Sequence, residues 1–218
     1  MVKFSSDVDI LKYEPAFFGE LYLPSQILIE GTGGTMSGTT FTATGADFVQ
    51  ANVSAGGVVY LHSSDESLVG TFEIVSVDSA TELTVSVIRA DSQDEPVPPP
   101  AASYVYFRVS TFEPQACEVA FALTEYFGIK PGNPSSDIEV GDILDVTVLE
   151  QVSVFAIISA VYATLASDEE NEHFWNKSRH YRTCFGHARS RARLSIDADS
   201  DGIAEQMNTG GSVRLIRD

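Results

Sequence analysis

The chain has 218 residues, of which 31 are acidic and 13 are Lys or Arg, so its formal charge is −18. This acidity excludes a generally basic nucleic-acid-binding domain, and a hydrophobic content of 44% excludes a disordered acidic chain. The two cysteines, Cys117 and Cys184, are too few and too far apart for a disulfide scaffold or a cysteine zinc site, which fits a reducing compartment.

The N-terminal segment has the pattern of a short amphipathic helix. Ser5, Ser6 and Asp7 can cap a helix that covers residues 9–18, where apolar residues recur on one face. Pro15 would either kink this helix or begin a second one. Acidic residues interrupt the apolar stretch that a signal peptide needs, so we expect no Sec-type export.

From residue 26 the apolar residues alternate with a period of two. This pattern predicts strands at residues 26–30, 39–43, 57–62, 71–77, 82–88 and 104–109. The glycine-rich residues 31–38 (GTGGTMSG) predict a turn, and the acid- and proline-rich residues 91–100 predict a loop. Five or six short strands at this spacing predict a small all-β barrel or sandwich.

The C-terminal half returns to helical patterns. We expect helices over residues 114–127, 142–166 and 168–194, followed by a hairpin of residues 191–196 and 212–216 around the turn DADSDG. The weakly polar run 152–166 is shorter than the roughly 20 residues of a membrane span. We therefore expect this run to be buried in protein, partly by other subunits, with no membrane partner.

The turn at Asp197, Asp199 and Asp201 matches the first half of a calcium-binding loop, in which alternate carboxylates converge on one ion. The second half departs from that pattern, because Asn208 stands where the bidentate glutamate is needed. The same residues also suit an ordinary tight turn. An acidic turn without an ion and a Ca²⁺-stabilised turn therefore both remain open.

Charge is distributed unevenly along the chain. Residues 1–173 carry a formal charge of −21, whereas residues 174–218 carry +3. Three interpretations fit the basic stretch: it complements the macrodipole of its own helix, binds nucleic-acid phosphates, or binds the acidic face of an identical neighbour. The last is favoured because it pairs the basic part of one copy with the acidic part of the next. The candidate interface residues are Trp175, Lys177, Arg179, Arg182, Arg189, Arg191 and Arg193.

The sequence contains no recognisable catalytic constellation. It lacks the nucleophile elbow, the zinc-protease and the phosphate-loop motifs, and neither cysteine has a plausible nearby histidine partner. His173, His180 and His187 recur every seven residues, whereas two ligands on one helix need a spacing of four. We therefore expect a protein that is not an enzyme and has no catalytic residues.

Four pieces of the chain resemble one known group. They are SDVDILKYEPAFF, TFEPQACEVAFALTEYFGI, the pair VFAIISAVYATLAS and FWNKSRHYRTCFGHARSRARL, and the ending DADSDGIAE with GSVRLIRD. Together they resemble the head-tail connector, or adaptor, proteins of tailed phages and prophages. Those proteins are small helical subunits that assemble as rings beneath the portal.

The resemblance implies an α+β chain. A connector-type helical bundle of three to four helices with a C-terminal β-hairpin would occupy residues 1–25 and 110–218, and residues 26–109 would be an inserted small all-β barrel or sandwich. The implied function is that of a non-enzymatic virion protein, assembled in the host cytoplasm. The implied partners are further copies of itself in a ring, the portal and tail or neck proteins. We expect DNA to pass through the acidic lumen without sequence-specific binding.

An alternative function is a ligand- or carbohydrate-binding β module on a helical support. Its platform would be Tyr60, Phe72, Tyr104 or Tyr106, although strand alternation favours a place in the core for these rings. A hydrolase that uses paired acids is a third class, which no motif supports.

Overall fold

The structure is a computed structural model that describes residues 2–166 and 172–210. The chain divides into two compact units: Ser6–Phe112, and Met1–Ser5 together with Glu113–Asp218. We call the first the barrel unit and the second the helical unit. The described residues have an α+β architecture with five α-helices and eight strands.

The barrel unit contains a closed antiparallel barrel of six strands. The strands follow one another around the barrel in the order β1-β2-β5-β4-β3-β6, and β6 closes it by pairing with both β1 and β3. The barrel predicted from the spacing of short strands is compatible with this architecture. The strands are β1 Ile27–Ser37, β2 Thr40–Thr42, β3 Val58–Ser63, β4 Val69–Val77, β5 Glu82–Ser86 and β6 Ala102–Ser110.

The glycine-rich stretch predicted as a turn belongs instead to β1. A Cβ at Gly31 would lie 2.8 Å from the ring of Phe107, and one at Gly34 would lie 2.5 Å from the ring of Phe41. These glycines therefore leave room for aromatic rings inside the barrel, and the register with β6 shifts where they occur. The prediction of a turn at residues 31–38 was wrong because it considered only local conformation.

Aromatic rings fill the centre of the barrel. Phe41, Phe48 and Phe107 are buried, and the ring of Phe107 lies 5.5 Å from that of Phe41 and 5.7 Å from that of Phe48 in edge-on contacts. Apolar residues from all the neighbouring strands surround these rings. Burial of this cluster is the main source of the unit's stability.

Two short helices precede the barrel in the chain and belong to the same unit. They are α1 Asp7–Leu11 and α2 Ala16–Gly19, with Pro15 as the residue that begins the second. Asp9 accepts a hydrogen bond from the backbone N–H of Ser6 at the start of α1. At the far end of the unit, the backbone N–H of Phe112 donates to Asp7 Oδ1 over 2.8 Å, so the unit's entry and exit meet.

The helical unit contains three longer helices and a two-stranded sheet. The helices are α3 Glu113–Phe127, α4 Glu150–Ala166 and α5 Glu172–Arg191, and the strands are β7 Arg193–Ile196 and β8 Gln206–Thr209. Short 3₁₀ turns, rather than the predicted helix, cover part of residues 140–149. The predicted partner strand 212–216 lies outside the described residues, and β8 pairs with β7.

The α4–α5 pair has polar contacts within its apolar interface. Ser159 Oγ donates to the carbonyl of Ser178 over 3.0 Å, and Ser178 Oγ donates to the carbonyl of Ser159 over 2.9 Å. Lys177 Nζ donates to the buried hydroxyl of Tyr162. These bonds fix the register of the two helices, because each buried polar group needs its partner.

The helical segment Val146–Ala166 is longer than the predicted apolar run. It has 21 residues with a mean hydropathy of 1.7, which is long and apolar enough to cross a membrane by length and composition alone. Within the protein, 44% of that stretch is buried, and core helices of soluble proteins have the same composition. Phe155 and Tyr162 on α4 contact the ring of Tyr181 on α5.

The predicted fold class, a connector-type helical bundle with an inserted barrel, was wrong. The architecture is a closed six-stranded barrel with five helices. Helices α1 and α2 have five and four residues and lie in the barrel unit, so they supply no bundle helix. In the helical unit, α4 and α5 form one long antiparallel pair, and α3 packs against α4 and contacts α5 through Tyr126 and Arg189.

Candidate functional site

Helix α5 presents an arginine-rich surface. Arg179, Arg182 and Arg191 are exposed, and the indole of Trp175 is 48% exposed on the same helix. None of these three arginines forms an ion pair with a carboxylate that the structure describes. Exposed guanidinium groups that lack an internal partner are available to a carboxylate or a phosphate on another molecule. Trp175, Arg179 and Arg182 lie within two turns on one side of the helix, and we call them the α5 surface, whereas Arg191 lies nine residues after Arg182 on the opposite side.

The other predicted interface residues have different surroundings. Arg189 is half-buried and stacks on Tyr126, with its guanidinium 4.3 Å from the ring centre. Lys177 is held by Tyr162. The predicted helix end at residue 194 implied that Arg193 shares a helix face with Arg182. The helix ends instead at Arg191, so Arg193 lies in β7 and does not share that face.

The turn after β7 brings acidic side chains together. Asp197, Asp199, Asp201 and Glu205 each place a carboxylate oxygen within 4.8 Å of the others, so the group could hold a metal ion. Asp197 is only 7% exposed, and its two oxygens accept the backbone N–H groups of Asp201 and Gly202. The sequence pattern identified the three aspartates. It did not include Glu205, which the structure brings beside them.

Tyrosines line the outer face of the barrel at β3 and β6. Tyr60 and Tyr106 point away from the core with ring centres 6.4 Å apart, and Tyr104 is 81% exposed. Phe72, in contrast, is buried in the core. The expectation that alternation places all four rings in the core was therefore wrong for the three tyrosines. We call Tyr60, Tyr104 and Tyr106, with Tyr22, the tyrosine face.

A bulge in β6 exposes Tyr104. Gly34 pairs with Val105 and Thr35 pairs with Ser103, so Tyr104 is an extra residue without a partner in β1. Its φ of 56° is in the left-handed region, which is unfavourable for a tyrosine. Backbone strain of this kind is often retained at functional sites.

Charged groups lie beside the tyrosine face. The guanidinium of Arg108 is buried, lies 3.4 Å from the ring centre of Tyr22, and donates to the carbonyls of Phe18 and Gly19. Tyr106 donates its hydroxyl to Glu30 over 2.9 Å. Burial, and to a smaller extent this hydrogen bond, raises the pKa of Tyr106. The hydroxyl therefore keeps the proton that it donates.

Comparisons of the chain with protein-family models, with curated proteins and with solved structures found no match.

Proposed function

We propose that this chain is a non-enzymatic structural protein of a tailed-phage virion, a head-tail connector that forms a homo-oligomeric ring under the portal. The four sequence pieces that resemble connector proteins support this function. The ring contacts the portal on one side and tail or neck proteins on the other.

The observation that carries the proposal is the α5 surface on an otherwise acidic chain. The barrel unit alone contains 14 acidic and three basic residues, a formal charge of −11. Identical copies repel each other over most orientations, but an arginine row from one copy against carboxylates of the next gives an attractive, oriented contact. A contact between two different surfaces of the same chain repeats head to tail, and it forms a ring when the rotation from one copy to the next closes after a whole number of copies.

The same charge distribution suits DNA passage. Once the arginines of α5 are used in contacts between subunits, the remaining surface is strongly acidic. An acidic lumen repels the phosphate backbone, so DNA moves through the ring without sequence-specific binding.

Reversing two charges on the α5 surface tests the ring. We expect Arg179→Glu with Arg182→Glu to raise the protein concentration needed for assembly at least about a hundredfold. The reason is that like charges that face each other across an interface cost several kcal/mol. Native mass spectrometry and light scattering measure the assembly, both for the chain alone and with the portal of the same virion.

The matched control is Lys12→Glu, which reverses an exposed charge of the barrel unit and is expected to leave assembly unchanged. Two results would contradict the proposal. One is a wild-type chain that is monomeric at all concentrations, even with the portal. The other is assembly of the double variant at wild-type concentration.

We further propose that the acidic turn binds Ca²⁺ and so stabilises the β7–β8 hairpin. Calcium prefers six to eight oxygen ligands and accepts irregular geometry. Four carboxylates supply the oxygens, and the buried Asp197 holds the turn through two backbone N–H groups. The ion also offsets the mutual repulsion of the four carboxylates.

Calcium is therefore expected to raise the melting temperature of the helical unit. At a free concentration a hundred times the Kd, the free energy of unfolding rises by about 2.7 kcal/mol. We expect Asp199→Asn with Asp201→Asn to abolish the effect and Asp137→Asn, an exposed carboxylate elsewhere, to preserve it. Isothermal titration that detects no calcium binding to the wild type would refute the site.

A second candidate function, carbohydrate binding by the barrel, is favoured by the tyrosine face. Sugars stack their apolar ring faces on exposed aromatic side chains, while nearby charged groups bind the hydroxyls. Tyr60 and Tyr106 offer the rings, and Glu30 offers a carboxylate beside them.

Glycan-array screening of the full chain, followed by titration with the best glycan, measures this function. We expect Tyr60→Ala to weaken binding at least about tenfold, since it removes one stacking ring. Tyr13→Ala removes an exposed tyrosine that lies outside the tyrosine face, and this variant is expected to bind normally. Absence of any glycan ligand, or equal loss in both variants, would reject this candidate.

A further inference from the structure

Helix α5 brings a thiol and an imidazole together. The Sγ of Cys184 lies 3.7 Å from Nε2 of His180, one helical turn earlier. The expectation that neither cysteine has a nearby histidine was therefore wrong for Cys184. The histidine spacing of seven had excluded two histidines as ligands of one ion, but the residue four positions after His180 is this cysteine.

The separation of the two atoms matches a chelating pair. Zinc binds thiolate sulfur at about 2.3 Å and imidazole nitrogen at about 2.0–2.1 Å, and a tetrahedral angle between these bonds puts sulfur and nitrogen about 3.6 Å apart. The observed 3.7 Å therefore matches the sulfur–nitrogen separation that such an ion requires. An α-helix favours this arrangement because residues i and i+4 lie on one face.

The pair is accessible to an ion from solvent. His180 is exposed and Cys184 is half-buried. Among the residues that the structure describes, the two side chains have no other hydrogen-bond partner. A metal ion therefore replaces one weak hydrogen bond and breaks no other hydrogen bond among the described residues.

We propose that His180 Nε2 and Cys184 Sγ chelate one divalent transition-metal ion of the zinc class. Thiolate and imidazole are soft or borderline ligands and select such ions over Ca²⁺ and Mg²⁺, which prefer oxygen. This site differs from the cysteine zinc site that the cysteine count excludes, because the protein supplies two ligands and water supplies the others.

Binding is a ligand exchange without a redox step. The thiol proton of Cys184 passes to solvent as the sulfur–metal bond forms, and Nε2 of His180 donates its lone pair while Nδ1 keeps the ring proton. The neighbouring Arg179 and Arg182 repel a free cation, so the ion binds through its two ligands and not through the local field.

Cobalt(II) is the probe for this site, since a thiolate–cobalt bond gives a charge-transfer absorption band in the near ultraviolet. We expect the reduced full-length chain to develop this band with a stoichiometry of one, and Zn²⁺ but not Ca²⁺ to displace the cobalt. Cys184→Ser is expected to remove the band, and His180→Gln to weaken cobalt binding at least about tenfold.

Each ligand variant has a matched control. Cys117→Ser removes the other free thiol, and His187→Gln removes an exposed histidine from the same helix; both are expected to bind cobalt like the wild type. A wild-type chain without the band would overturn the site, as would a band that persists in Cys184→Ser or disappears in either control. The native far-ultraviolet circular dichroism of each variant shows that a lost band reflects a lost ligand.

Discussion

Replacing Phe41 with alanine is expected to lower the free energy of unfolding of the barrel unit by about 3–5 kcal/mol. The ring of Phe41 is fully buried and contacts those of Phe107 and Phe48 across the barrel. Its removal leaves a cavity that a closed barrel cannot collapse to fill, because all six strands are tied to two neighbours. A loss of this size is a large part of the stability of a domain.

The measurement must separate the two units. The single tryptophan, Trp175, lies on α5, so its fluorescence follows the helical unit. Amide hydrogen exchange of the β3 and β6 strands in urea follows the barrel. Tyr104→Ala, which shortens an exposed side chain of the same barrel, is expected to change stability by less than about 0.5 kcal/mol. Similar losses in both variants would refute this account of the core.

The second large effect is expected on removing the charge of Arg89. Its guanidinium is buried with the carboxylate of Glu73, at 2.6 Å from Nη2 to Oε1, and Nη1 donates to the carbonyls of Ser92 and Asp94. The hydrogen bond to Glu73 raises the pKa of Arg89. Arg89→Met leaves Glu73 buried and unpaired, which costs about 3–5 kcal/mol.

The double variant shows whether the stability is lost because the ion pair is missing or because the charge of Glu73 is left buried without its partner. Arg89→Met with Glu73→Met removes both charges, and we expect it to recover much of the stability that Arg89→Met loses. Lys130→Met breaks an exposed ion pair with Glu139 and is expected to cost less than about 1 kcal/mol. If the double variant is no more stable than Arg89→Met, the buried charge of Glu73 is not what destabilises the Arg89→Met variant.

Some strand positions could be predicted from the sequence because their pattern is local. Alternation identified the positions of β3 and β4 but not their inward faces, because Val59 and Leu61 face the core whereas Tyr60, which the pattern placed in the core, faces outward. The extent of β1 could not be predicted, because its glycines are required by the rings of Phe41 and Phe107, which are distant in sequence. The bulge at Tyr104 has the same cause, since register is a property of two strands.

The helical part shows a similar division. Composition identified α5 as the basic helix. It could not show that the helix ends at Arg191 or that the guanidinium of Arg189 stacks on the ring of Tyr126. The bundle expectation failed because Pro15 divides the N-terminal segment into two short helices. Glu205 and the His180–Cys184 pair were missed because the patterns considered were whole motifs, whereas the structure gives individual distances.

The hydrogen bond between Phe112 and Asp7 has a consequence for how such a chain is built. The barrel unit begins and ends at neighbouring residues, because the backbone N–H of Phe112 donates to the side chain of Asp7, so its 107 residues form a loop that closes on itself. A segment with this geometry can be gained, lost or exchanged between related chains with little change to the backbone on either side. The barrel unit is therefore exchangeable as a whole. Recombination at Asp7 and Phe112 replaces the barrel with its tyrosine face and leaves α5 unchanged.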